Sequence, residues 1–310
     1  MRLTTYAGVI PAVALPMTRE AEPDLPAFRR YLEWIVEQGP IALAVNADTG
    51  EGPHLDRDER RAVLETALDA VGDRIPIVAG LAGPSTGHAR QVAREAQDAG
   101  AAGLLVFPIS AYQGRPLSPE VPYAYHAAIA EASDLPLILF QLQPALGGVL
   151  FDPETLARLV DIPSVTALKE ASFNALRYVE TRDLLRDLRP IAFLTGNDNF
   201  ILESFVLGAH GALIGMAAIA TRQQVEVVRL ALAGDYEAAE AAYVRIDALV
   251  RAIFGSPVRN YRARVKEGLA MQGIIPGATV RPPLLPIPDA ERQAVRDGLA
   301  ASGLLSGAPA

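Results

Sequence analysis

Among the 28 Lys and Arg residues of this chain, a scan finds two lysines, Lys169 and Lys266. Wherever a generic cation is needed, the chain uses arginine. Arginine stays charged and cannot act as a nucleophilic amine, whereas a buried lysine changes its pKa readily. Lys169 closes the apolar run "SVTALK", in which Val165, Ala167 and Leu168 read as the inside of a short strand. Its amine is therefore the leading candidate for nucleophilic chemistry on a carbonyl carbon. The competing role is an ordinary ion pair, with Glu170 as the nearest acid. Lys266 lies in a helical pattern flanked by arginines, which suggests a surface or interface cation. Cysteine is absent, so there is no thiol nucleophile, disulfide or Cys-ligated zinc site. His54, His88, His126 and His210 lack metal-ligand spacing, and no metal site is expected.

A nucleophile needs a scaffold. Eight short apolar runs recur, bounded by Gly and Pro: "GVIPAVAL", "IALAVNA", "IPIVAG", "GLLVFP", "PLILFQ", "VTALK", "PIAFLTG" and "GALIGM". Short and apolar on both faces, they read as buried parallel strands. Helical patterns separate them. In "FRRYLEWIVEQG", Phe28, Tyr31, Leu32, Ile35 and Val36 share one face, and Gly39-Pro40 stops the helix. "DPETLARLV" opens with an Asp cap and a Pro in the first turn. Eight such units predict an α/β fold, a (β/α)₈ barrel over residues 1–232. An open doubly wound sheet would carry a phosphate loop after its first strand, and "ALPMTREAEP" is not one. "GLAGPSTG" reads as a plain strand-to-helix turn. Residues 233–310 show no strand-like run and predict three helices packed on the barrel.

The formal net charge is -8, with no basic stripe, so nucleic acid is not an expected partner. "GVIPAVALP" is too short and too broken by proline for a membrane span, and the N-terminus lacks a signal-peptide plan. A soluble cytoplasmic protein is expected. Barrels of this type place their chemistry at the C-terminal ends of the strands. That rule puts Lys169 at the barrel mouth, where burial lowers an amine's pKa.

The segments "GVIPAVALPM", "DTGEGPHLDRDER", "DRIPIVAG", "PALGG", "VTALKEAS", "TGNDN" and "RARVKEGLAMQG" give the chain a likeness along nearly its whole length. It resembles the dihydrodipicolinate synthase / N-acetylneuraminate lyase family. That resemblance implies a (β/α)₈ barrel with a C-terminal helical extension, and a Schiff base between Lys169 and a 2-oxo acid. It implies no cofactor, because the lysine imine is itself the electron sink. It also implies a small-molecule partner and a homo-oligomer, dimer or tetramer.

The resemblance is incomplete at the site. The family's carboxylate loop reads Gly-[Ser/Thr]-Thr-Gly-Glu, whereas this chain has Ala47-Asp48-Thr49-Gly50-Glu51. Thr49 and Gly50 can still offer a hydroxyl and backbone N–H groups. Two roles are open to Asp48, a turn cap or a charged group in the site. Phe140 stands where the family has a proton-relaying tyrosine, and Leu146 where dihydrodipicolinate synthases carry a carboxylate-binding arginine. Tyr112 could supply a phenol, across a subunit interface as in the family, or be a packing aromatic. Gly196 and Gly215, ending runs seven and eight, complete the expected substrate-binding set. The expected function is a lyase, aldolase or dehydratase acting on a 2-oxo acid, and not an efficient dihydrodipicolinate synthase. The alternative is a barrel that binds a metabolite without turning it over.

Overall fold

The structure, a computed structural model, describes residues 1, 3–114 and 116–305. Eight parallel strands form its centre: β1 (Val9–Pro11), β2 (Leu43–Val45), β3 (Ile77–Leu81), β4 (Gly103–Val106), β5 (Leu137–Leu142), β6 (Val165–Ala171), β7 (Ala192–Thr195) and β8 (Gly211–Ile214). Each pairs with its sequence neighbour from β2 to β8, and β8 pairs with β1. A parallel bridge between Ala12 and Ala44 joins β1 to β2 and brings the sheet round into a barrel.

Strand alternation divides the side chains into two buried clusters. Ile10, Ala12, Ala44, Val78, Leu105, Ile138, Phe140, Ala167 and Leu213 fill the barrel interior. Leu104, Leu137, Leu139, Leu168 and Ile214 face outward onto the helices. Lys169 shares the parity of Ala167 and Ala171 and so points inward, whereas Glu170 points out. This parity rules out the Lys169–Glu170 pair. The Glu170 carboxylate instead accepts hydrogen bonds from Asn197 Nδ2 (2.7 Å) and the Ser172 backbone N–H (3.1 Å).

Helices α1 (Leu25–Val36), α2 (Arg57–Val71), α3 (Thr86–Ala99), α4 (Glu120–Ala132), α5 (Pro153–Val160), α6 (Ala175–Arg186), α7 (Ile201–Val206) and α8 (Thr221–Leu232) follow the strands in turn. Local chemistry starts several of them. Asp56 and Glu59 form a reciprocal capping box at α2, and Asp152 caps α5 with Pro153 in its first turn. "GLAGPSTG" is a plain turn in which Ser85 caps α3.

Beyond α8 the chain forms four helices where the sequence suggests three: α9 (Tyr236–Val244), α10 (Asp247–Phe254), α11 (Tyr261–Met271) and α12 (Asp289–Ala301). The extra break falls at Arg245–Ile246. It lets Ala239 and Ala242 of α9 pack inward while Ile246, Leu249, Val250 and Ile253 bury along a separate axis. Residues 306–310 of the expected extension lie outside the described residues. Among the described residues, no helix is long and apolar enough to cross a membrane.

Candidate active site

Lys169 occupies the inward face of β6 at the mouth of the barrel and is 5% exposed. Its Nζ lies over the Phe140 ring, 4.2 Å from the centroid. In-register pairing of Phe140 on β5 with Lys169 on β6 sets this contact. Among the described residues, Lys169 makes no salt bridge. Burial lowers its pKa from 10.5 to about 8, against smaller opposing pulls from the carboxylates of Asp198 and then Asp48. Such an amine is partly neutral near neutral pH and can attack a carbonyl carbon.

Gly196 gives the lysine its room. A Cβ on Gly196 would sit 2.6 Å from Lys169 Cε and 3.0 Å from Ala171 Cβ. Gly215 plays the same part at the end of β8, where a Cβ would lie 3.0 Å from both Thr49 Oγ1 and Phe254 Cζ. These close approaches place Thr49, Gly215 and the last helices at one mouth.

Asp198, two residues after Gly196, was not singled out by its sequence context. Its carboxylate accepts hydrogen bonds from the backbone N–H groups of Met216 (2.7 Å) and Gly215 (3.3 Å). Burial raises its pKa to about 6, while those hydrogen bonds and the Lys169 ammonium pull it down. The available signal was positional: an acid directly after the seventh strand, at the end where barrels do chemistry.

The Asp48–Glu51 loop is tied to the C-terminal extension. The Asp48 side chain caps no helix. Its Oδ2 accepts from the Tyr261 hydroxyl (2.5 Å), its Oδ1 from Arg262 Nη2, and its carbonyl from Arg262 Nε (2.8 Å). Both partners belong to α11. Burial opposes the Arg262 charge, but Asp48 outweighs it and leaves the guanidinium pKa raised. Asp48 thus faces the extension while remaining near enough to act on Lys169.

Glu51 forms a second buried link. It adopts a left-handed backbone (φ 57°), a strained conformation for a non-glycine residue, and is fully buried. Its carboxylate pairs with Lys266 Nζ and accepts the Arg281 backbone N–H at 2.8 Å. Lys266 also donates to Thr279 O at 2.8 Å. The expectation of a surface cation at Lys266 is therefore wrong, because the residue has no exposed surface. The helical spacing is amphipathic to neither side, since α11 is enclosed by barrel and extension alike. Residues 261–266 are all buried.

Phe140 and Leu146 both pack on the barrel's interior cluster. Phe140 contacts Phe107 edge-on within the barrel, and half-buried Leu146 packs against the same interior cluster. Gly50 follows Thr49 on the Asp48–Glu51 loop, where a Cβ would lie 2.8 Å from the Val13 carbonyl oxygen. Tyr112 does not join this group. It is 1% exposed, and its ring packs among Tyr125, His126 and Phe151 of the same chain. Burial pushes its phenol pKa far up, and among the described residues the hydroxyl has no hydrogen-bond partner.

With this geometry in hand, comparisons with known proteins are specific. Residues 5–302 match the model of the dihydrodipicolinate synthetase family. The 4-hydroxy-tetrahydrodipicolinate synthase of Gluconacetobacter diazotrophicus is 31% identical over 306 residues, covering 99% of this chain and 100% of that protein. The enzyme of the same name from Kineococcus radiotolerans is 33% identical over 305 residues, covering 97% and 95%. Among solved structures, the chloride-inhibited dihydrodipicolinate synthase of Acinetobacter baumannii in complex with pyruvate superposes with a TM-score of 0.85. It shows 30% identity and covers 97% of this chain and 100% of that one. A monomeric dihydrodipicolinate synthase variant gives 0.87 at 29% identity, covering 98% and 99%.

Proposed function

The chain belongs to the dihydrodipicolinate synthetase family, a family of lyases, and from that premise we propose that it forms a Schiff base between Lys169 and a 2-oxo acid of the pyruvate class. The observation that carries the proposal is the Lys169 amine itself. It is buried at the barrel mouth, it faces an aromatic ring with no carboxylate paired to it, and its pKa is lowered to about 8. The likeness to a pyruvate-bound relative supports the substrate class.

In this reading the neutral amine adds to the C2 carbonyl. Water leaves, and the resulting iminium withdraws electrons from C3, so that a C3–H or C3–C bond can break. Thr49 and the backbone of Gly50 bind the substrate carboxylate. Gly196 and Gly215 leave space for substrate and lysine. Asp198, fixed by two backbone N–H groups, supports the positive charge that forms on the imine nitrogen.

Phe140 and Leu146 make the pocket more apolar than one built on a phenol and a guanidinium. We therefore propose an aldolase or dehydratase whose turnover of aspartate semialdehyde is poor. Phe140 also favours the second reading, a barrel that binds a 2-oxo acid without turning it over. Borohydride reduction across a panel of 2-oxo acids tests the shared step. The expected result is a reduced adduct on the peptide containing Lys169, absent from Lys169→Arg. Labelling that survives in Lys169→Arg, or no labelling by any member of the panel, removes the Schiff-base reading. Turnover assays with the compounds that label then separate lyase from binder. Assembly as a dimer or tetramer in the cytoplasm completes the proposal, and sedimentation measures the former.

A further inference from the structure

If Phe140 cannot carry a proton, some other group must take one from C3 of the iminium. The described residues bring a single phenol to the loop beside the amine. Tyr261, the first residue of α11, is buried, and its hydroxyl donates to Asp48 Oδ2 at 2.5 Å. Thr49 is also close enough to act on that phenol. The ring stacks on Phe254, with centroids 5.0 Å apart and planes 24° apart, and Cε2 lies 3.5 Å from where a Gly215 Cβ would stand. Gly215 in turn donates to Asp198, the acid that acts most strongly on Lys169, and Asp48 is the next. Phenol, loop and amine are thus linked through immediate neighbours at one mouth.

We propose that Tyr261, backed by Asp48, is the proton relay of this enzyme, delivered by α11 of the C-terminal extension in place of a tyrosine on β5. The inference rests on the Schiff-base reading. In the iminium, the C3–H bond breaks and its electron pair forms the C2–C3 double bond of the enamine, leaving the nitrogen neutral. The C3 proton passes to the phenol oxygen as the phenol's own proton passes to Asp48 Oδ2. The phenol ends neutral and Asp48 ends as the carboxylic acid, so nothing is oxidised or reduced. The reverse transfer reprotonates C3.

Two features suit the pair to this task. A free phenolate beside Asp48 is strongly disfavoured, first by burial and then by the carboxylate's charge, so the phenol must pass on its proton as it receives one. Arg262, bonded to Asp48 Oδ1 and to its carbonyl, fixes the carboxylate in place with Oδ2 on the phenol.

Exchange of the pyruvate methyl protons in D₂O, followed by NMR, reads the C3 step without a second substrate. Tyr261→Phe keeps the stack on Phe254 and removes only the hydroxyl. Exchange should fall by ~10²-fold, the usual scale of a lost general acid–base group. Borohydride should still fix pyruvate on Lys169, which separates this proposal from the Schiff-base reading. Adding Phe140→Tyr to Tyr261→Phe returns a phenol from β5 and should recover at least about a tenth of the wild-type exchange rate, on the same scale. A merely structural tyrosine would not be rescued in this way. Wild-type exchange in Tyr261→Phe, or a folded double variant with no recovery, overturns the relay. If Tyr261→Phe does not fold, Asp48→Asn provides the measurement: trapping without exchange supports the relay, and unchanged exchange overturns it. No trapping in the wild type removes the Schiff base and this proposal together.

Discussion

Lys169 and Lys266 are the two lysines of the chain, and both are buried in it. Burial lowers the pKa of each ammonium. Their neighbours then separate them. Lys266 touches the Glu51 carboxylate and the Thr279 carbonyl, so its charge is matched and its protons are committed. Lys169 faces the Phe140 ring, and the acids that act on it, Asp198 and Asp48, are each engaged elsewhere. The difference shows that depth alone does not make an amine nucleophilic. A buried amine becomes available when the nearest group solvates its charge weakly and leaves its lone pair free.

The sharpest way to break this comparison is to remove each amine and measure stability. Lys266→Met strands Glu51 inside the protein, and loss of one partner of a buried pair costs about 3–5 kcal/mol. Chemical denaturation should show that loss. An unchanged midpoint would mean that the pair contributes nothing. Lys169→Met should move stability the opposite way. With a folded pKa of about 8 against 10.5, charging this amine penalises the folded state at every pH below about 8. The variant should gain roughly 3–4 kcal/mol at pH 7, at about 1.4 kcal/mol per pH unit. That gain should fade as pH rises from about 8 towards 10.5. A destabilised Lys169→Met would show that the lysine stem, not its charge, dominates there.

Smaller effects sharpen the account of Lys169. Asp198→Asn keeps a carbonyl for the Met216 and Gly215 N–H groups but removes the charge that most favours the ammonium. The pH at which imine formation begins should fall by about one unit, as expected for loss of a nearby opposite charge. An onset that stays in place would show that Asp198 acts only as a backbone anchor. Phe140→Leu removes the ring face, worth ~0.5–1 kcal/mol to a cation. The same onset should fall by about half a unit. A rise instead would mean that the ring excludes water more than it holds charge.

Much of this was legible in the sequence, and the reason can be stated residue by residue. Strand parity and Gly/Pro boundaries mark Val165–Lys169 as an inward-closing strand, and barrel geometry then puts its lysine at the mouth. Gly196, Gly215 and Thr49 follow from their places after strands. Asp198 was available by the same rule. Tyr261, Arg262 and Lys266 were not, because their partners lie on a loop more than two hundred residues away. Periodicity reports the face of a helix, not the distant charge it meets. A helix enclosed on every side erases even that signal. The position of Tyr112 after β4 leaves open a phenol donor or a packing aromatic, and its ring packs against Tyr125 and Phe151.

The attachment of Asp48 to α11 also sets an order of events during synthesis. The Tyr261–Asp48 contact spans 213 residues. At ~5–20 residues per second, the loop leaves the ribosome roughly ten to forty seconds before the helix that fixes it. In the later part of that interval a nascent chain carries Lys169 without holding the loop beside it in its final form. The surroundings of Lys169 are completed late, when most of the barrel that shelters it has already been made.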